Sequence, residues 1–173
     1  MPRTRGCPAR SAATRRVGSL DGTGWAVDPG DVYDFAGTAS FTYEAWVTPD
    51  RVDATFRRVA NKLSSDGLNG WVVYYTLSAW KFERVGSGTY NTLSWATPPT
   101  VGTKYHVAAT YDGTTMRLYQ RRRARQQSLE RLDHEPHQPP AARPIRRRNA
   151  GRAAVYSSAL SATEIAAHYA AGV

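Results

Sequence analysis

The sequence predicts an all-β fold, an antiparallel sandwich finished by a short C-terminal helix. Three observations carry that prediction. Aromatic and β-branched residues recur in short runs of period two. Turn residues punctuate those runs every 8–12 residues or so, the spacing of a sandwich or barrel rather than of βα units. A capping box stands near the C-terminus.

The first strand is Phe41-Thr42-Tyr43-Glu44-Ala45-Trp46-Val47. Phe41, Tyr43, Ala45 and Val47 share one face, and Thr42, Glu44 and Trp46 share the other. Pro49-Asp50 ends it. The second run, Trp71 to Leu77, opens after the turn residues Asp66-Gly67 and Asn69-Gly70. The third, Trp80 to Val85, alternates and stops at Gly86-Ser87-Gly88. Tyr105–Tyr111 and Thr115–Tyr119 form a hairpin, with Asp112-Gly113 expected as a two-residue turn because both positions tolerate positive φ. Ser161-Ala162-Thr163-Glu164 predicts a helix start: the Ser161 hydroxyl accepts the N3 amide and Glu164 reaches back to the N-cap. Leu160 and Ile165 complete a hydrophobic staple, and the helix should run to about Ala170 and end at Gly172.

Charge and aromaticity divide the chain. The net charge of +9 would favour a nucleic acid or membrane partner if it were spread over the fold. It is not. Residues 1–19 carry +5 and residues 120–152 carry +7, which leaves the remainder mildly acidic. Seventeen of the 19 aromatics lie between Trp25 and Tyr119, and neither basic segment holds one. Segments rich in Arg and Pro and free of aromatics do not bury enough apolar surface to offset ordering entropy. The expected organisation is therefore a basic segment at 1–19, a sandwich at 20–119, an extraneous Arg/Pro-rich segment at 120–152, and a closing strand and helix at 153–173. A lone cysteine, Cys7, gives no internal disulfide. No apolar run is long enough to span a membrane, and no apolar stretch follows the N-terminal arginines to make a secretion signal.

Three motifs in order now point to a family. Phe41-Thr42-Tyr43-Glu44-Ala45-Trp46-Val47-Thr48-Pro49 resembles its "F-T-x-E-A-W-V-x-P" strand. The segment from Tyr105 to Tyr119 resembles its "Y-H-V-A-A-T-Y-D-G-T-x-x-R-L-Y" hairpin. The segment from Val155 to Ile165 resembles its closing "V-Y-x-x-A-L-S-x-x-E-I". The family is the laminin-G-like, concanavalin A-like jelly roll in its bacterial form, over residues 20–119 and 153–172. The resemblance implies a non-catalytic recognition or adhesion module that binds carbohydrate or a protein partner outside the cell or on its surface.

In that family "R-L-Y" runs on into "V-N-G" and further strands. Here Tyr119 is followed by Gln120-Arg121-Arg122-Arg123. Val-Asn-Gly encoded GTC-AAC-GGC, read from its third base, gives CAA-CGG, which is Gln-Arg. The expectation is that residues 120–152 are translated out of frame and that the frame returns near Ala153. The nucleotide sequence in three frames tests this. A sandwich deprived of those strands should have unpaired edges and poor solubility.

The resemblance also frames the site residues. Related folds include glycoside hydrolases, which need two carboxylates flanking the bond, commonly as E-x-D on one strand face. This chain has no Glu-x-Asp, and Glu44 is alone on its strand. A hydrolase remnant, tested by Glu44→Gln, is the second alternative. Exposed aromatics stack on sugar rings in such modules; the expected ligand set is Trp46 with Glu44, then Trp71 and Trp80. Asp21, Asp28 and Asp31, beside Asp34 in a Gly-rich stretch, are the residues a single Ca²⁺ would take. Two departures weigh against the ion: Trp25 stands where relatives have Asp, and the "I-D-E-V" acids are absent before Ala153. The four His (His106, His134, His137, His168) show no ligand spacing on one element. Asp112, Gly113, Ser161 and Glu164 are structural. The first alternative function is nucleic-acid binding through Arg121-Arg122-Arg123 and Arg146-Arg147-Arg148, although no aromatic is interleaved for base stacking.

Overall fold

Strand β1, Phe41–Val47, turns its odd-numbered apolar face inward as the alternation requires: Phe41, Tyr43, Ala45 and Val47 all lie in the core. The computed structural model that shows this describes Tyr33, Phe35 and residues 37–64, 66–121, 128–132 and 150–172. Eight more strands and one helix follow among the described residues: β2 Arg57–Leu63, β3 Gly70–Tyr75, β4 Trp80–Gly86, β5 Thr89–Trp95, β6 Tyr105–Tyr111, β7 Thr115–Arg121, β8 Ser128–Leu132, β9 Ala150–Tyr156 and α1 Ala162–Ala171. They form two antiparallel sheets, a five-stranded one ordered β8-β7-β6-β1-β9 and a four-stranded meander β2-β3-β4-β5.

The sheets face each other across an aromatic core. Trp71, Val73 and Tyr75 of β3, with Trp80 and Phe82 of β4, meet Phe41, Tyr43, Val107, Tyr111 and Leu118 from the other sheet. Phe41 sits 5.4 Å from Trp71 and edge-on to Phe82 at 6.0 Å, geometries that ring quadrupoles favour. The Trp71 indole N–H, buried and in need of an acceptor, donates to the Tyr33 carbonyl at 3.2 Å. Arg84 is 1% exposed. Its guanidinium donates to the carbonyls of Phe35 at 3.2 Å and Gly37 at 2.7 Å and lies 4.2 Å from the Tyr111 ring centre. These bonds fasten the segment leading into β1 across the core.

The β6–β7 hairpin forms, but its turn is one residue further on than the sequence predicts. Asp112 N–H donates to the Thr115 carbonyl at 3.3 Å, so Gly113-Thr114 are the central pair. Asp112 keeps negative φ, and Gly113 alone of the pair takes positive φ, 102°. The Asp112 carboxylate is better used as an acceptor, from the amides of Thr114 (3.0 Å) and Thr115 (2.8 Å) and from Arg117 (2.6 Å). Partial burial would raise its pKa, but those bonds outweigh it and hold the carboxyl far below the usual range. A methyl group on Gly113 would stand 2.8 Å from the Thr38 carbonyl.

The helix follows the capping reading closely. Ser161 and Glu164 form the reciprocal box, Ile165 is buried beside Leu160, and Gly172 closes the helix in the left-handed conformation at φ 70°. Ile165 packs on Ala108 and Tyr119, so α1 lies on the outer face of the five-stranded sheet.

The boundaries at 119 and 153 need correction. β7 continues through Gln120 and Arg121, which pair with Val107 and His106. Ser128–Leu132 pairs with β7 from Tyr119↔Ser128 to Thr115↔Leu132, and β9 begins at Ala150. Aromatic content delimited the sequence reading, whereas a ladder is a main-chain structure that requires none. Residues 1–19 and the rest of 120–152 lie outside the described residues.

Candidate functional site

Two polar clusters stand out, one on the outer face of each sheet. On the five-stranded sheet Glu44 is 2% exposed beneath α1. The Tyr156 hydroxyl donates to its Oε1 at 2.7 Å, and His168 Nδ1 lies 3.0 Å from Oε1 and 3.2 Å from Oε2. His106 Nε2 is 3.5 Å from Oε2, at the edge of hydrogen-bond reach, where its effect is electrostatic. Burial would raise the Glu44 pKa, but the approach of His106, the bonds from Tyr156 and His168 and the charge of His168 outweigh it and leave it lowered. Burial, then the bond to Glu44, pushes the Tyr156 phenol well up. One carboxylate thus ties together β1, β6, β9 and α1.

That arrangement revises the expected ligand set. Glu44 has histidines and a tyrosine as partners, not the second carboxylate that hydrolysis of a sugar bond requires. Trp46 is half-buried, with its ring stacked on Tyr169 at 5.4 Å, beside His106 at 5.0 Å and under Lys104 Nζ at 4.5 Å. Its neighbours Thr42 and Glu44 look like a solvent face in sequence, but the segment at Ser158 and Leu160 covers Thr42 and α1 covers Glu44. Trp71 and Trp80 are 0% exposed and belong to the core, so neither presents a ring to a ligand. Asp21, Asp28 and Asp31 lie outside the described residues, among which no His, Cys, Asp or Glu cluster has metal-binding geometry.

Because Glu44 is held as a carboxylate, its folded pKa lies below the ordinary 4.5. Its contribution to stability is complete above that value and is lost as pH falls through the lower folded one. Glu44→Gln should cost about 1–3 kcal/mol near neutral pH. The gap in unfolding midpoint between the two proteins should then close progressively as pH falls below the ordinary 4.5. A gap that stays constant over that range would show that the charge does not matter.

The second cluster was not foreseen. In β3 and β4 the residues alternating with the core set point out from the four-stranded sheet: Val72 and Tyr74, then Lys81 and Glu83. The ladder sets Arg58 beside Tyr74 beside Lys81, and Val72 beside Glu83 beside Thr92. A register shift between Arg58 and Ala60 buries both Val59 and Ala60 while Arg58 stays exposed. Phe56 lies edge-on to Tyr74 at 5.3 Å, and the Tyr90 hydroxyl reaches the Gly67 carbonyl at 3.3 Å. Phe56, Arg58, Leu63, Val72, Tyr74, Glu83 and Tyr90 line an open groove of about 310 Å³.

The groove carries one ordered polar array among apolar side chains. Glu83 Oε1 accepts from the Tyr74 hydroxyl at 2.5 Å and from the Thr92 hydroxyl at 3.1 Å. Burial, then Glu83, pushes the Tyr74 phenol well up, so it remains a donor. Above this array stand two rings that fill no core, Phe56 at 59% exposure and Tyr90 at 55%. Exposed aromatics beside a fixed donor–acceptor array can receive a flat, hydroxyl-rich ligand. In sequence the signal was present but faint: Phe56 precedes its strand, and Tyr90 follows the Gly86-Ser87-Gly88 turn.

The fold has counterparts among solved structures. The binding domain of botulinum neurotoxin serotype D has TM-score 0.67 at 11% identity, over 84% of this chain and 39% of that chain. The binding domain of botulinum neurotoxin DC in complex with SialylT has TM-score 0.64 at 11% identity, over 83% and 38%. The receptor binding domain of the C/D mosaic serotype has TM-score 0.54 at 14% identity, over 78% and 36%. The likeness is one of fold, and this chain spans about two-fifths of their length. No curated protein sequence matches the chain. Among the described residues no helix is long and apolar enough to cross a membrane. A laminin G family model, described as the concanavalin A-like lectin/glucanases superfamily, matches residues 21–121, more than half of the sequence. With its two facing antiparallel sheets and C-terminal helix, the chain belongs to the concanavalin A-like lectin/glucanase superfamily, as a laminin-G-like jelly roll.

Proposed function

We propose that this chain is a non-catalytic recognition module that binds carbohydrate in the groove on the outer face of the four-stranded sheet. The observation that carries the reading is the pair of exposed rings, Phe56 and Tyr90, over the Tyr74–Glu83–Thr92 array. A groove of this size suits one or two sugar rings. Rings stack on the apolar faces of sugars, and the array below satisfies hydroxyl groups that would otherwise be desolvated without partners. The solved complex of a structural neighbour with SialylT is in keeping with this use of the fold. Such a module works outside the cell or on its surface, as part of an adhesive or secreted assembly. The nucleic-acid alternative rests on Arg runs that, apart from the Arg121 backbone, lie outside the described residues.

The test is calorimetric titration of the chain with a panel of oligosaccharides. Phe56→Ala and Tyr90→Ala should each weaken binding by roughly two- to tenfold, as the loss of one stacked ring of about 0.5–1.5 kcal/mol requires. Neither change should lower the unfolding midpoint appreciably, because both rings are exposed. Trp46→Ala should loosen α1 and leave groove affinity unchanged. Binding that survives both groove substitutions and fails with Trp46→Ala would move the site to the other sheet.

A further inference from the structure

We infer that the groove selects sugars bearing an anionic group, and that Arg58 is the residue that reads it. The inference rests on the carbohydrate reading above and concerns what kind of sugar enters.

The electrostatics of the groove are lopsided. Adjacent arginines on β2 have different fates. Arg57 is neutralised by Asp53, to which it donates from both Nε and Nη2. Arg58 faces the groove, is exposed, and meets no carboxylate among the described residues. Lys81, its neighbour across Tyr74 in the ladder, carries its ammonium 5.9 Å from the centre of the Tyr74 ring. The carboxylate in the lining, Glu83, is already engaged by Tyr74 and Thr92 and is directed at the floor. Two cations and one occupied carboxylate leave the rim positive, although the sandwich outside the flanking segments is mildly acidic. Here a ring stacked on Phe56, which packs on Tyr74, the ladder partner of Arg58, would bring its substituents towards the guanidinium, whose planar fork matches a carboxylate bidentately and also takes a sulfate ester.

The chemistry shared by uronic, sialic and sulfated sugars is one negative charge on a pyranose substituent, and the experiment separates its sources. The probes are a uronate-containing oligosaccharide, the same oligosaccharide with its carboxyl reduced to the alcohol, and a neutral backbone carrying a sulfate ester. Wild type should bind at least one anionic form roughly tenfold tighter than the reduced form, with an advantage that shrinks as salt rises. Arg58→Gln should erase that advantage by weakening the anionic form far more than the reduced one; Arg58→Lys should restore part of it. The unfolding midpoint of both variants should match wild type. Equal affinity for charged and uncharged forms, or an advantage that survives Arg58→Gln, would overturn the inference while leaving a neutral-sugar groove intact. Failure of every probe, or binding indifferent to both Phe56→Ala and Tyr90→Ala, would instead overturn the groove as a carbohydrate site.

Discussion

Replacing Arg84 with Ala should cost about 3–5 kcal/mol, a large share of the stability of a domain this size. The side chain is buried in the centre of the sandwich, between the rings of Tyr111 and Phe41, and donates to the carbonyls of Phe35 and Gly37. Truncation opens a cavity and leaves two acceptors without their donor, and both effects add. Arg84→Met refills most of the space yet still abandons the carbonyls, so it should fall between wild type and Ala. Arg84→Lys should recover little, because a point ammonium on a flexible stem does not replace a fork spanning two carbonyls and lying on a ring. Urea unfolding checks the series. A midpoint for Arg84→Ala corresponding to less than 1 kcal/mol of loss would mean that the segment before β1 is not held through this side chain.

Trp71→Ala should produce a loss of similar size, about 3–5 kcal/mol, through the cavity left by a fully buried indole. A sugar platform at this position would give the opposite pattern, lost affinity with the fold intact. Trp71→Phe isolates the indole N–H. It keeps the contacts with Phe41 and Tyr43 but leaves the Tyr33 carbonyl unserved, and should cost about 1–3 kcal/mol. Near-ultraviolet circular dichroism with thermal melting distinguishes these outcomes. Arg84 and Trp71 act on the same short segment, Tyr33–Gly37, so the double variant should lose less than the sum of the two. Additive losses would show that the two anchors are independent.

What could be read from the sequence was whatever local geometry decides. The inward face of β1, the β6–β7 pairing and the capping box at Ser161 each follow from residues within a few positions of one another. Period two says that Thr42, Glu44 and Trp46 share a face. It does not say that α1, more than a hundred residues later, will cover it. The same blindness assigned Trp71 and Trp80 to a ligand, since alternation does not declare which side of a strand faces the other sheet. The groove draws on all four meander strands and on Phe56, which belongs to no run, so its parts meet only after register is set. Strand β8 escaped because Ser128–Leu132 shows neither alternation nor an aromatic. An origin of part of 120–152 in a shifted reading frame remains a separate proposal. It predicts that another frame of the gene encodes Val-Asn-Gly and more strands after Tyr119, and sequencing the gene tests it.

The place of β1 between β6 and β9 has a consequence in time. The meander β2–β5 is built from neighbours in sequence, and each of its pairings closes as soon as its hairpin emerges. β1 pairs with β9 at Thr42↔Tyr156, across more than one hundred residues. Closing a loop of that length costs about 3 kcal/mol more than closing a hairpin. During synthesis at about 5–20 residues per second, β1 waits roughly 5–20 s for its last partner. Throughout that interval one main-chain edge of Phe41–Val47 is open to any other strand that meets it. The nascent chain, more than the finished module, is therefore where this protein is most exposed to misassembly.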